Sequence, residues 1–366
     1  MGTLVVRVAV VLTARPSWAK LSPVVADLVR RGVDVQLIVC ASALLERYGR
    51  VVDVVRQEYP TLPVTEVWSV LEGATLLTGA KETGYLLSAL ADAVSRLRPD
   101  RVVVCADRHE VLAAAMAGRS LNLPVVHLQG GERSGSIDDD VRDAITQLAQ
   151  VHCVATARAR CRVYGLTGDW AATHQTGCPS IDLALRARRV VPVTDDELGG
   201  VGAIRLAEPF VVVLHHPNTD HAETAAAELH GILTAVCASG HQVVALWPGQ
   251  DAGHDPAAKV LRLWQGKIKT VRNLPPVRFL KLLTQAAALV GNSSVGIREG
   301  SALGVPVVNV GDRQQGRERG PNVVDVAEAD QVYDALARQV AHGRYPASTL
   351  YGDGHAAERI GEVICG

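Results

Sequence analysis

The feature that most constrains this chain is a rhythm of short β-branched runs separated by longer amphipathic stretches, and it occurs twice. The first series reads "LVVRVAVVLTA" (4–14), "VDVQLIVC" (33–40), "RVVVC" (101–105), "PVVHLQ" (124–129) and "HCVAT" (152–156). Between these runs, Ser17 to Arg31, Glu82 to Leu97, Arg108 to Leu121 and Asp138 to Gln150 carry apolar residues at three- and four-residue spacing, which predicts helices. Strands that are apolar on both faces and joined by helices form parallel sheets covered on both sides.

The rhythm pauses in the polar, basic, proline-containing stretch from Arg186 to Glu197. It restarts with "PFVVVLHH" (209–216), "QVVALW" (242–247), "AALVG" (287–291) and "VPVVNV" (305–310). The expected class is α/β, with two Rossmann-like doubly wound domains facing a cleft that holds the active site. A length of 366 residues suits two such cores better than one. The expected division is 1–188 and 189–350. A last segment, 351–366, holds a helix over Gly354 to Cys365 placed to cross back onto the first domain.

Charged residues make up 20% of the chain and the net charge is -1, without the basic excess that nucleic-acid binding favours. Any anion site must therefore be local. The seven cysteines show neither paired metal-ligand spacing nor the density of a secreted disulfide scaffold, and they read as buried, reduced thiols. No metal or cofactor is expected. Arg7 interrupts the first apolar run, which is too short to span a bilayer and is followed by no cleavage signal. The expected compartment is the cytoplasm, with no membrane partner.

The sharpest local signal is "GNSSVGIREGSALGVPVVNVGDRQQGRERG" (291–320), where a buried strand ends in Gly291, Asn292, Ser293 and Ser294 before a helical stretch. A helix start presents unpaired N–H groups and partial positive charge; Ser293 and Ser294 add hydroxyl donors, and Gly296 would let a phosphate approach. Glu299 stands where a carboxylate could accept hydrogen bonds from ribose hydroxyls. Arg313, Arg317 and Arg319 follow, with Arg313 the preferred diphosphate ligand. Taken singly, Ser293 could merely cap a helix and the arginines could lie on a solvated face. Their compression into thirty residues favours a nucleotide diphosphate site.

This segment resembles the corresponding region of the UDP-N-acetylglucosamine 2-epimerase family, particularly its hydrolysing, sialic-acid-pathway branch. The blocks "ADRHEVLAAA" (106–115), "HLQGGERSGSIDDDVRDAITQLAQVH" (127–152), "GCPSID" (177–182) and "HHPNTD" (215–220) resemble family blocks in the same order, over nearly the whole chain. The resemblance implies a GT-B-type fold of two nucleotide-sugar-transferase-like domains, with UDP-N-acetylglucosamine and UDP as ligands. It also implies a homo-oligomer, a dimer or tetramer. The implied chemistry removes the proton at C2 of the sugar and expels UDP from C1, giving a 2-acetamidoglucal to which water or UDP adds back with C2 inverted.

Such chemistry needs a positioned base, a proton donor and cationic phosphate ligands. Asp107 follows the strand "RVVVCA" where open α/β sheets place ligands, and it matches a family catalytic aspartate. Arg108 matches a substrate-binding position. Glu132 in "GGE" and Asp138 in "SIDDD" flank a short loop and form the expected acid/base pair, although Asp138 is equally placed to be the N-cap of the following helix. His216 matches a family catalytic histidine facing the leaving diphosphate, while His215 should point the other way. In "TARPSWAKL" (13–21), Arg15 and Lys20 could reach phosphate or sugar from the first strand-to-helix turn.

Three positions depart from the implied pattern. Ser17 stands where relatives carry an acidic residue, Gln129 where the non-hydrolysing branch has glutamate, and Gly249 in "WPGQDAG" (247–253) where asparagine is frequent. The motifs "GGE", "SIDD" and "RQQGRERG" favour the hydrolysing outcome, N-acetylmannosamine and UDP. The sequence leaves two alternatives, a non-hydrolysing epimerase giving UDP-N-acetylmannosamine and a GT-B glycosyltransferase.

Overall fold

The computed structural model describes residues 6–71, 75–249 and 252–366. Leu4 and Val5 of the first apolar run, and Gln250 and Asp251 beyond Gly249, lie outside the described residues. The chain divides into two compact units. The first comprises the residues up to Glu132, Ile137–Asp182 and Gly352–Gly366; the second comprises Arg133–Ser136 and Leu183–Tyr351. The division at Asp182 thus precedes the Arg186 to Glu197 stretch where the sequence placed it.

The first unit carries strands β1 (Arg7–Leu12), β2 (Asp34–Cys40), β3 (Val64–Val67), β4 (Arg101–Cys105), β5 (Val125–Leu128), β6 (Val151–Val154) and β7 (Thr173–Gln175). They form a seven-stranded sheet in the order β3-β2-β1-β4-β5-β6-β7, with every pairing parallel. Helices α1 (Arg15–Arg30), α2 (Val51–Glu58), α3 (Leu76–Leu97), α4 (His109–Ser120), α5 (Asp138–Leu148), α6 (Ala157–Thr167) and α7 (Pro179–Ala187) connect and follow them. Because strand side chains alternate, Val8, Val10 and Leu12 of β1 pack with Leu21, Val24 and Leu28 of α1. Ala9 and Val11 instead face Leu86, Leu90 and Val94 of α3 on the other side of the sheet. Each such buried valine or leucine side chain contributes about 1.5–3 kcal/mol of transfer free energy.

Helix α1 begins at Arg15, ahead of the expected Ser17, because Pro16 occupies its first turn, where a missing N–H costs nothing. Helix α3 begins well before Glu82, because Thr75 and Thr78 satisfy each other's backbone N–H groups at its start.

The second unit repeats the plan with β8 (Phe210–Leu214), β9 (Gln242–Leu246), β10 (Lys269–Val271), β11 (Ala288–Gly291), β12 (Val307–Val310) and β13 (Val323–Val326), in the parallel order β10-β9-β8-β11-β12-β13. Its helices are α8 (Asp195–Leu198), α9 (Ala225–Ala238), α10 (His254–Trp264), α11 (Pro276–Gln285), α12 (Ser294–Ile297), α13 (Glu299–Leu303) and α14 (Val332–His342). In each sheet the strand order reverses beside the first strand, at β1/β4 and at β8/β11. The carboxyl ends flanking that reversal are where open α/β sheets bind ligands.

The last helix, α15 (Ala356–Cys365), belongs to the first unit and packs on α1, burying Ile360 and Ile364 in the α1 side of the core. Asp182 receives the N–H groups of Ala356 and Ala357 at 3.1 and 2.8 Å, so a carboxylate from elsewhere in the chain caps α15. Not all thiols are buried: Cys161 and Cys365 are exposed.

Candidate active site

In the first unit, β4 ends at Cys105 and Ala106 adopts φ +74°, a left-handed conformation uncommon for a residue with a side chain. Two bonds hold it there. The Ala106 N–H donates to the Leu128 carbonyl at 2.9 Å, and Nε2 of His127 donates to the Ala106 carbonyl at 2.9 Å. With Nε2 spent as donor, Nδ1 of His127 accepts from the Thr146 hydroxyl at 3.2 Å. Burial pushes this imidazole down to about 3, so it is neutral.

Asp107 leaves this turn and meets the guanidinium of Arg142 from α5. The Arg142 side chain is only 1% exposed, and it also donates to Asp139 at 2.6 Å and to the Glu132 carbonyl at 2.5 Å. One buried arginine thus gathers the β4 aspartate, a helix aspartate and the backbone of the "GGE" loop. Burial opposes its charge, but Asp107 and Asp139 outweigh that and hold it above the usual guanidinium value.

Glu132 is buried at the end of this loop. Gly131 before it has φ +76°, and a Cβ there would lie 2.3 Å from the Ala159 carbonyl oxygen, so only glycine fits. Asp138 is half-buried in the first turn of α5, whose N-cap is Ile137. The capping alternative is therefore corrected: the backbone is already helical at Ile137, so Asp138 lies within the helix and contributes charge to its positive end.

Arg108 forms a two-pronged pair with buried Glu110, both contacts 3.1 Å. Arg15 opens α1 half-buried, and burial pulls its guanidinium below the usual value. Lys20 is half-buried further along the same helix. Ser17 is buried in the first turn, beside Trp18, whose indole N–H bonds Glu58 at 3.1 Å. Gln129, with φ +66°, donates its amide to the Cys178 sulfur at 2.7 Å.

In the second unit, β8 delivers two histidines that diverge. His215 turns to Glu228 of α9 at 3.1 Å, while Nδ1 of His216 accepts the Gly249 backbone N–H at 3.1 Å. The main chain of His216 is clasped by Asn292, which follows β11: its Oδ1 accepts the His216 N–H and its Nδ2 donates to the His216 carbonyl, each at 2.7 Å. Gly291 makes this approach possible, since a Cβ there would lie 2.1 Å from the Leu214 carbonyl oxygen.

Ser293 is the N-cap of α12, and Ser294 accepts from Arg298 at 2.9 Å. The helical stretch is two short pieces, α12 and α13, broken at Arg298, so little helix dipole accumulates at the serines. Gly296 has a packing role of its own. Its missing side chain points at Val307 and Leu289, 2.9 and 3.1 Å from where a Cβ would stand, and it serves close packing of helix on sheet.

Glu299 is buried, and its Oε2 has no hydrogen-bond partner among the described residues. A desolvated carboxylate oxygen left unbonded is costly, and a ligand hydroxyl would relieve it. The three loop arginines separate by role. Arg319 is spent on Asp325 through contacts of 3.0 and 2.9 Å and on the Gln314 and Arg317 carbonyls. Arg317 is buried against Gln314, and half-buried Arg313 reaches the Asn292 carbonyl at 3.4 Å, beside the serines. Within the second unit, the Ser134 carbonyl of the segment Arg133–Ser136 accepts the Gly316 N–H of this loop at 3.3 Å.

Sequence reasoning did not single out Arg142, Asp139 or the clasp made by Asn292. For the first two a signal existed: Asp138, Asp139 and Arg142 fall at helical spacing on α5. Among the described residues no helix is long and apolar enough to cross a membrane.

Two doubly wound parallel sheets, each with ionisable side chains at the carboxyl ends of its strands, define an α/β enzyme of the two-Rossmann, GT-B-type class. The sequence assigns it further: the chain belongs to the UDP-N-acetylglucosamine 2-epimerase family, whose profile matches residues 27–365. It is 29% identical over 343 residues to the UDP-N,N'-diacetylbacillosamine 2-epimerase (hydrolyzing) of Legionella pneumophila, covering 90% of this chain and 88% of the relative. It is also 29% identical over 368 residues to the UDP-N-acetylglucosamine 2-epimerase of Neisseria meningitidis, covering 98% and 94%. In fold it is similar to the Methanocaldococcus jannaschii UDP-GlcNAc 2-epimerase solved with UDP-GlcNAc and UDP, with a TM-score of 0.79, 18% identity and coverage of 98% and 99%.

Proposed function

We propose that the chain is a hydrolysing UDP-N-acetylglucosamine 2-epimerase. In this reading the carboxylates of the first unit, Asp107, Glu132 and Asp138, act at C2 of the sugar. His216, Ser293, Ser294, Glu299 and Arg313 of the second unit hold UDP, with Arg15, Lys20 and Arg108 as further ligands. Loss of the C2 proton and breaking of the C1–O bond release UDP and leave 2-acetamidoglucal. Water then adds across the double bond, its hydroxyl to C1 and a proton to the opposite face of C2, giving N-acetylmannosamine.

The observation that carries this reading is the gathering of Asp107, Asp139 and the Glu132 backbone on one buried arginine at the carboxyl ends of β4 and β5. A glycosyltransferase, which leaves the C2–H bond intact, has no use for clustered carboxylates there. The hydrolysing outcome is supported by "GGE", "SIDD" and "RQQGRERG" and by the resemblance to a hydrolysing relative. Ser17, in place of the acidic residue that both branches carry, leaves open the second reading, a non-hydrolysing epimerase that returns UDP-N-acetylmannosamine. The same reading takes the enzyme to be a cytoplasmic homo-oligomer.

Proton NMR of a reaction in deuterated water tests the proposal. Free N-acetylmannosamine with UDP and deuterium at C2 is the expected outcome. A persistent UDP-sugar anomeric signal with deuterium at C2 would establish the second reading, and product without deuterium at C2 would overturn elimination at C2 and with it both epimerase readings.

A further inference from the structure

The surroundings of His216 fix more than its position. Its Nδ1 accepts the Gly249 backbone N–H at 3.1 Å, so Nδ1 carries a lone pair and the ring proton sits on Nε2. Gly249 has no side chain, and its own carbonyl is bonded in turn: it lies 2.9 Å from Nδ1 of His254 in the first turn of α10. A carbonyl only accepts, so His254 must donate through Nδ1. His254 is buried, which keeps that contact out of competition with water. The three residues form a directed line, with His254 donating to Gly249 and Gly249 donating to His216.

We infer that His254 is a positioning residue, which acts through the Gly249 backbone to hold His216 as the neutral Nε2–H tautomer. Resting on the proposed reaction, this makes His216 a hydrogen-bond donor to the departing diphosphate rather than a cationic acid. An imidazolium would need a proton on Nδ1, where the Gly249 N–H already points. A departing UDP is a stable anion that needs its charge accommodated, and a fixed neutral donor does so without reorganising during the reaction. Asn292 holds the His216 main chain from the other side, at 2.7 Å through each backbone group, so both ring and backbone are fixed.

The experiment reads the ring nitrogens directly. The full-length protein is labelled with 15N-histidine, and His216 is assigned by comparison with His216→Gln. Long-range proton–nitrogen correlation at neutral pH should show His216 protonated at Nε2 only. In His254→Ala that signal should shift toward a mixture of tautomers, and kcat should fall by roughly 10- to 100-fold with little change in KM. His254→Asn, whose amide can donate from nearly the same place as Nδ1, should restore both. Wild-type His216 found protonated at Nδ1 or at both nitrogens overturns the inference, as does a tautomer unchanged in His254→Ala. The NMR readout needs no substrate. Failure of the epimerase reading would appear instead as absent turnover of UDP-N-acetylglucosamine by the wild-type enzyme.

Discussion

The side-chain amide of Asn292 takes both backbone hydrogen-bonding groups of His216, receiving its N–H and donating to its carbonyl at 2.7 Å each. An asparagine side chain thereby continues the sheet by one rung, where β8 and β11 have ended at Leu214 and Gly291. The Asn292 carbonyl meanwhile receives Arg313 and Gln314, at 3.4 and 3.1 Å, so one residue joins the histidine turn to the arginine loop.

Asn292→Ala removes both hydrogen bonds that Asn292 makes to the His216 main chain. An unsatisfied buried polar group costs about 1–3 kcal/mol, so the urea midpoint should drop by an amount equivalent to about 2 kcal/mol or more. Asn292→Asp should do little better, because it sets a second acceptor against the His216 carbonyl. An alanine variant with the wild-type midpoint would show that the clasp contributes nothing.

Asp107→Asn keeps the shape of the side chain but removes a carboxylate from the Arg142 cluster. Under the proposed elimination, kcat should fall by roughly 10²- to 10⁴-fold, the range for a lost acid or base, while UDP affinity by calorimetry stays within a few-fold. Turnover near the wild-type rate would remove Asp107 from the chemistry.

The fold was legible because a fully buried parallel sheet imposes a pattern that survives in one sequence, as "RVVVC" and "PFVVVLHH" show. Site candidates were legible where residue type and strand end coincide, as at Asp107 and His216. Arg142 stands at helical spacing from Asp138 and Asp139, but that spacing does not reveal its burial, because an arginine on an amphipathic helix reads as solvated until the tertiary structure buries it. The packing role of Gly296 was not legible, because a glycine required by helix-on-sheet packing looks the same in sequence as one required by a ligand. His254 stands at the start of a helix with nothing in its neighbours to show that its ring turns back to Gly249.

The arginines of the 313–319 loop should behave differently from one another. Arg313→Ala, which touches only the Asn292 carbonyl among the described contacts, should weaken UDP binding by about tenfold or more, the loss of a charge-assisted contact, with the melting temperature nearly unchanged. Arg319→Ala breaks its pairing with Asp325 and its carbonyl contacts, so it should lower the melting temperature. Calorimetric titration with UDP beside thermal unfolding separates the two; unchanged affinity in Arg313→Ala would displace the diphosphate from this loop.

Acid sensitivity should trace to the two buried imidazoles of the first unit. Burial depresses His127 to about 3 and His152 to about 4, whereas in an unfolded chain both protonate near 6.5. Below pH 6.5 the unfolded state therefore binds protons that the native state refuses. Stability is full above that pH and declines as the pH falls toward 4 and then 3. His127→Gln replaces the imidazole with an amide that can still donate to the Ala106 carbonyl but cannot titrate. Urea denaturation at a series of pH values should show a shallower loss of stability for His127→Gln than for wild type across this window. Parallel curves would mean that His127 is not the group that the unfolded chain protonates to its advantage.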